Sequence, residues 1–242
     1  MPHAVARLRD ERLARSAKPF IARGSRTPRC PRCRIPHSHC LCDWLPAPRA
    51  AVGVCLLMHD IEVLKPSNTG WLIADVVSET WAFTWTRTGV DPRLPALLND
   101  PQWQPFVVFP GEYAPPQRVT DEATAAPGKR PLFILLDATW TEARKMFRKS
   151  PYLDTLPVLS LQPDAMSRYR LRRSTRGEHL CTAEVAALCL ELAGEHTTSS
   201  LLDTWLDAFT LHYLAAKRQR PVPADEPAHH LLALEEDRRA SN

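Results

Sequence analysis

Apolar residues along the chain repeat at two periods, and the points where one gives way to the other predict its elements. Ala51–Met58 is a β-like apolar run that begins after the prolines at 46 and 48. Ser67–Thr80 reads as a helix with Ser67 as its cap, followed by strands at Trp81–Thr86 and Phe106–Phe109. The proline-rich stretches 91–105 and 110–130 read as loops. Pro131–Leu136 is apolar at every position, the mark of a strand buried on both faces of a parallel sheet. Thr139–Lys149 predicts a helix, with Thr139 and Glu142 as a capping box and Pro151 beyond its end. A short strand at Val158–Leu161 precedes a helix from Thr182, which carries Val185, Leu188, Cys189 and Leu192 on one face. Ser200 and Asp203 open the last helix, whose buried face is Leu202, Trp205, Leu206, Phe209 and Tyr213. From Lys217 the chain is polar and is predicted to fray. Strands alternating with helices indicate an α/β fold with a mainly parallel sheet.

Length and composition place limits on this picture. A chain of 242 residues, 44% hydrophobic, suits one core domain with appendages. We divide it into a basic arm at 1–24, a Cys- and Pro-rich module at 25–46, a core domain at 47–216 and a polar tail at 217–242. No apolar run approaches the roughly 20 residues that span a bilayer. The first residues lack the apolar segment of a secretory signal, and Asp10 and Glu11 argue against a transit peptide, so a cytoplasmic protein is expected, as a monomer. The net charge of +4 is divided unevenly. Residues 1–34 hold ten Arg and Lys against Asp10 and Glu11, which is +8 and leaves −4 for the remainder. A basic arm on a mildly acidic body suits a polyanionic partner; the alternative is a solvated tail.

Four of the seven cysteines, Cys30, Cys33, Cys40 and Cys42, fall within thirteen residues. Two close pairs of thiolates can supply a closed tetrahedral zinc site, structural because it leaves no open position. His37 and His39 are alternative ligands, and a redox CxxC is the competing reading of the first pair. Cys55, Cys181 and Cys189 read as small buried hydrophobes.

The most informative segment is Leu135-Leu136-Asp137-Ala138-Thr139-Trp140. A carboxylate here ends a buried strand and precedes a capped helix, the position where α/β sheets bind ligands. Asp137 either works as a base or binds a cation, or it only caps the helix. Asn68-Thr69-Gly70 at a predicted helix start exposes backbone N–H groups suited to an anion, or is a plain cap. The run from Ser167 to Arg173 interleaves arginines with Tyr169, and is either a phosphate- and base-binding loop or a solvated one. Arg144, Lys145, Arg148 and Lys149 add a basic stripe to the helix after Asp137.

In this order the pieces resemble the DTW-domain family, named for an Asp-x-Thr-Trp motif that here is Asp137-Ala138-Thr139-Trp140. The likeness runs from Cys30, Cys33, Cys40 and Cys42 through Asn68-Thr69-Gly70 and Phe109-Pro110-Gly111-Glu112. It continues to the Arg168–Arg172 loop and Cys181-Thr182-Ala183-Glu184. Ala138 stands where family sequences often have Gly. The resemblance implies a tRNA-uridine aminocarboxypropyltransferase with a SPOUT-like C-terminal knot, a fold feature that periodicity cannot reveal. It implies S-adenosylmethionine as donor, tRNA as partner and Asp137 as the general base that frees uridine N3. The donor pocket would be lined by Asn68, Thr69, Gly70, Leu136, Thr139, Trp140 and Thr182, with Arg172 on the donor carboxylate. Arg144, Arg148, Arg168, Tyr169 and Arg170 would face the RNA, with the cysteine module and arm on its backbone. Alternatives are a SPOUT-like RNA methyltransferase, an rRNA aminocarboxypropyltransferase and a zinc-dependent RNA-binding protein without catalysis.

Overall fold

A computed structural model describes residues 2–17, 27–161, 180–223 and 225–240. Its centre is a six-stranded sheet in the order β2-β1-β5-β3-β6-β4, parallel at every pairing. The strands are β1 (Arg49–Met58), β2 (Val77–Thr84), β3 (Trp103–Val108), β4 (Val119–Thr120), β5 (Arg130–Asp137) and β6 (Val158–Leu159). The helices are α1 (Ala4–Ala14), α2 (Gly70–Val76), α3 (Arg93–Leu98), α4 (Trp140–Arg148), α5 (Thr182–Leu192), α6 (His196–Arg218) and α7 (Pro227–Ala240).

Side chains of the central strands alternate between two cores, as a period of two requires. Val54, Leu56 and Met58 of β1 and Phe133 and Leu135 of β5 pack with α1, α2, α5 and α6. Cys55, Leu57, Leu132 and Ile134 face the opposite way, toward α3 and α4. With both faces covered, β1 and β5 carry the unbroken apolar runs that the sequence shows. Their ends lie side by side, Met58 opposite Asp137.

Several elements differ from the sequence expectation or sharpen it. The predicted Ser67–Thr80 helix is α2, and the chain passes into β2 at Val77 with no loop between. Every residue of Gly70–Val76 is buried, so no polar face marks where the helix stops. The predicted loop 91–105 contains α3, and the strand expected from Phe106 begins at Trp103. The tail expected to fray is α7, which lays Leu232 and His229 against the body and stacks His229 on Trp44 at 4.6 Å. Of the N-terminal residues read as a basic helix or arm, Ala4–Ala14 form helix α1, docked by buried Val5 and Leu8 and by an Arg12–Asp60 ion pair at 2.6 Å. The expected C-terminal knot falls in part on residues 162–179, which lie outside the described residues. No helix among the described residues is long and apolar enough to cross a membrane.

Candidate active site

Asp137 is the last residue of β5 and is wholly buried. Oδ2 accepts a hydrogen bond from Asn68 Nδ2 at 2.6 Å, and Oδ1 accepts one from Thr182 Oγ1 at 2.8 Å. Asn68 also uses its other side-chain atom: Oδ1 accepts from the Trp71 N–H at 3.1 Å and so caps α2. Thr69 reaches α5, its Oγ1 accepting from the Ala183 N–H at 3.4 Å. One carboxylate therefore ties together the starts of two helices, α2 and α5, at the carboxyl end of the central strands. Bonds to an ionised acceptor are the stronger kind, which suits a carboxylate withdrawn from water.

Gly70 is required by the same packing. A Cβ there would lie 2.6 Å from Asp137 Oδ2 and 3.3 Å from Asn68 Oδ1. The carboxylate is held from both sides and cannot retreat as a flexible chain end would. Gly70→Ala is expected to lower stability by about 1–3 kcal/mol through overpacking and to displace Asp137. A thermal melt beside a structure of the variant would check both.

Thr139 begins α4 with the predicted capping box: its N–H and Oγ1 donate to Glu142 Oε2, and the Glu142 N–H donates back to Thr139 Oγ1. With α4 capped this way, Asp137 is not needed as the cap. Trp140 stacks on Phe109 at 5.4 Å between centroids, Tyr113 meets it edge-on at 5.8 Å, and Arg144 lies over Tyr113 at 5.4 Å. This half-exposed aromatic group with one cation packs with the core on the other face of the sheet from α2 and α5, which hold the carboxylate. Leu136 and Trp140 are half-buried, and Thr139, Arg144 and Arg148 are exposed. Arg168, Tyr169, Arg170 and Arg172 lie outside the described residues. Of the remaining predicted residues, Asn68, Thr69, Gly70 and Thr182 converge on Asp137, and Leu136, Thr139 and Trp140 flank it along the chain. A surface cleft of about 340 Å³ between α1, β2 and α3 has none of these residues in its wall.

The cysteines form a second centre. The Sγ atoms of Cys30, Cys33, Cys40 and Cys42 all lie within 4.8 Å of one another. Cys30 to Cys42 and Cys33 to Cys40 are both 3.6 Å, against the ~3.8 Å edge of a tetrahedron with 2.3 Å zinc–sulfur bonds. Burial opposes ionisation of Cys30, but the backbone N–H groups of Cys33 and Arg32 bring its thiol down to about 7. Burial pushes the Cys33 thiol up to about 11 and that of Cys42 upward too. A cation among them would favour the thiolate form of all four, and the donor set fits a structural metal. His37 and His39 are not among these ligands: His39 contacts Ser38 Oγ and the Arg220 carbonyl oxygen instead.

Residues 27–214 match the DTW domain family. The chain belongs to the DTW-domain family. Its match takes in both centres, the cysteine cluster and the Asp137 junction. Curated relatives of this DTW chain are named tRNA-uridine aminocarboxypropyltransferase 2. The Drosophila melanogaster protein is 28% identical over 69% of this chain and 66% of its own length. That of Macaca fascicularis is 26% identical over 69% and 57%, and that of Mus musculus 25% over 71% and 58%. The DTW chain thus spans 57–66% of the length of these relatives. No solved structure matches it.

Two participants in the DTW site were not legible from sequence. Tyr113 joins Trp140 from the stretch read as loop, and Arg34 of the cysteine module reaches the Asn68 carbonyl at 3.1 Å. Neither contact follows from a local pattern. The cysteine module, expected along the RNA backbone, turns arginines beside its cysteines onto the protein itself. Arg32 pairs with Asp75 at 2.6 Å, and Arg29 donates to the Arg34 carbonyl oxygen at 3.1 Å.

Proposed function

We propose that this chain transfers the 3-amino-3-carboxypropyl group of S-adenosylmethionine to N3 of a tRNA uridine. Family membership and the names of the relatives support the reaction class. The observation that carries it to particular atoms is the buried Asp137 carboxylate, held by Asn68 and Thr182 at the junction of α2, β5 and α5.

The donor supplies a carbon made electrophilic by its sulfonium, and attack at that carbon rather than the methyl releases methylthioadenosine. Selection between the two carbons is a matter of which one is held in line with the acceptor. Asn68, Thr69, Gly70, Leu136, Thr139, Trp140 and Thr182 surround the place where the donor would lie, with Arg172 assigned to its carboxylate. Asp137 takes the N3 proton as general base. Because its carboxylate is enclosed, the proton reaches it over the half-buried Thr182 hydroxyl, which already donates to Oδ1. The uridine must be unpaired or turned out to present N3. Trp140, Tyr113 and Arg144 offer it a stacking surface, and Arg148, Arg168, Tyr169 and Arg170 extend the contact along the RNA. The four cysteines hold a structural zinc ion. A SPOUT-like knot belongs to the same reading, supported by the parallel sheet and by the approach of the α5 start to the end of β5. So does a cytoplasmic location, where tRNA is met.

Product analysis tests the reaction class. With tRNA and S-adenosylmethionine the protein is expected to release methylthioadenosine. Release of S-adenosylhomocysteine instead would make it a methyltransferase and overturn the proposal.

A further inference from the structure

The cysteine module lies against α2, and it does so through two arginines placed by the metal-ligand loop. Cys30 N–H donates to the Ile35 carbonyl oxygen at 2.9 Å and Arg34 N–H to the Cys30 carbonyl oxygen at 2.8 Å, which closes the turn that carries Cys30 and Cys33. Arg34 completes this turn at φ +65°, a left-handed conformation that costs an ordinary residue about 1–2 kcal/mol. An arginine held there has a reason other than the turn, where glycine would sit without strain.

The side chain supplies that reason. The Arg34 guanidinium is buried over the Trp71 ring, 4.3 Å from its centroid, with the Phe209 ring at 5.5 Å. Nη1 donates to the carbonyl oxygens of Asn68 at 3.1 Å and Lys65 at 3.3 Å. Asn68 is the residue that donates to Asp137 and caps α2. Arg32, two residues earlier, pairs with Asp75 of α2 at 2.6 Å, and Asp75 also accepts from Trp205 Nε1 at 3.0 Å. A continuous set of contacts runs from the four cysteines through Arg34 to Asn68 and on to the carboxylate.

We infer that Arg34 is a positioning residue: the cysteine centre, through its guanidinium, fixes the Asn68–Gly70 turn and with it the donor side of the Asp137 site. The inference rests on the proposed function for the identity of the donor, and on geometry alone for the coupling. It gives the cysteine module an inward role in place of RNA contact. Losing the metal would loosen Arg34 and the donor pocket together.

Arg34→Gly tests this cleanly, since glycine favours φ +65° and so keeps the metal-binding turn while deleting the guanidinium. Arg34→Lys restores a cation and donors in a less matched shape. In full-length, zinc-loaded protein, three quantities are measured: zinc content, hydrogen exchange at the Trp71 amide that Asn68 caps, and affinity for S-adenosylmethionine beside affinity for tRNA. Arg34→Gly is expected to keep its zinc, exchange the Trp71 amide faster, and bind S-adenosylmethionine about tenfold more weakly. Its tRNA affinity stays unchanged, and Arg34→Lys falls between it and wild type. Should Arg34→Gly fail to fold, the intermediate exchange and affinity of Arg34→Lys decide the matter. Wild-type exchange and wild-type donor affinity in a zinc-loaded variant would overturn the inference. If wild type binds no S-adenosylmethionine while the Trp71 amide still loosens in the variant, the coupling stands and the donor assignment falls.

Discussion

Asp137→Asn is expected to fold, yet to transfer the aminocarboxypropyl group 10²–10⁴-fold more slowly, about 3–5 kcal/mol of added barrier. The amide has the shape of the carboxylate it replaces. Its oxygen can accept from Asn68 Nδ2, and its NH₂ can donate to Thr182 Oγ1, reversing a bond in which the hydroxyl is now the donor. Packing therefore survives, and only the ability to take a proton is lost. Asp137→Ala separates the two roles, because it leaves the buried Asn68 amide facing a gap. That variant is expected to lose about 1–3 kcal/mol of stability as well as activity. Single-turnover rates beside thermal melts measure both. An Asp137→Asn protein that transfers at the wild-type rate would move the base elsewhere. His59, whose N–H donates to the Asp137 carbonyl oxygen at 3.0 Å, and Glu62 are the next residues to examine.

The second large effect is expected at the cysteine centre. Cys33 is buried, and Cys33→Ser opens a closed tetrahedral set. Zinc binding in small structural sites contributes on the order of 10–16 kcal/mol at neutral pH, and the missing thiolate removes a sizeable share of it. Metal analysis should show about one zinc per wild-type chain and far less in the variant. A lower melting temperature should follow, because the module holds α2 through Arg32 and Arg34 and meets α6 through the His39 carbonyl oxygen, which His212 Nδ1 contacts at 2.8 Å. A metal-free wild-type protein with the same melt as Cys33→Ser would remove the metal from the account.

Much of the site could be read from the chain because its signals are local. β5 is an uninterrupted apolar run ended by an acid, and the Thr139–Glu142 box follows two residues later. The cysteines declare their centre by spacing alone. What stayed hidden is non-local or uniformly apolar. The end of α2 is buried all round, with even Asp75 turned inward to Arg32 and Trp205, so helix and strand merge in the pattern. α7 ends in a charged run, and its docking depends on His229 and Leu232 finding Trp44 and the body of the fold. Arg34 meets Asn68 across 34 residues, by way of a positive-φ turn that no periodicity encodes. Its charge suggested nucleic acid because, in sequence, an inward arginine and an outward one look alike.

The group that reaches the base, and the base it reaches, define the reaction. The deciding measurement is incubation of the protein with tRNA and S-adenosylmethionine labelled in its carboxyl carbon, followed by digestion and mass spectrometry of the nucleosides. A single modified uridine that carries the label and the aminocarboxypropyl mass, absent with Asp137→Asn, is the predicted result. Unlabelled tRNA after incubation with a protein shown to bind both substrates would contradict it.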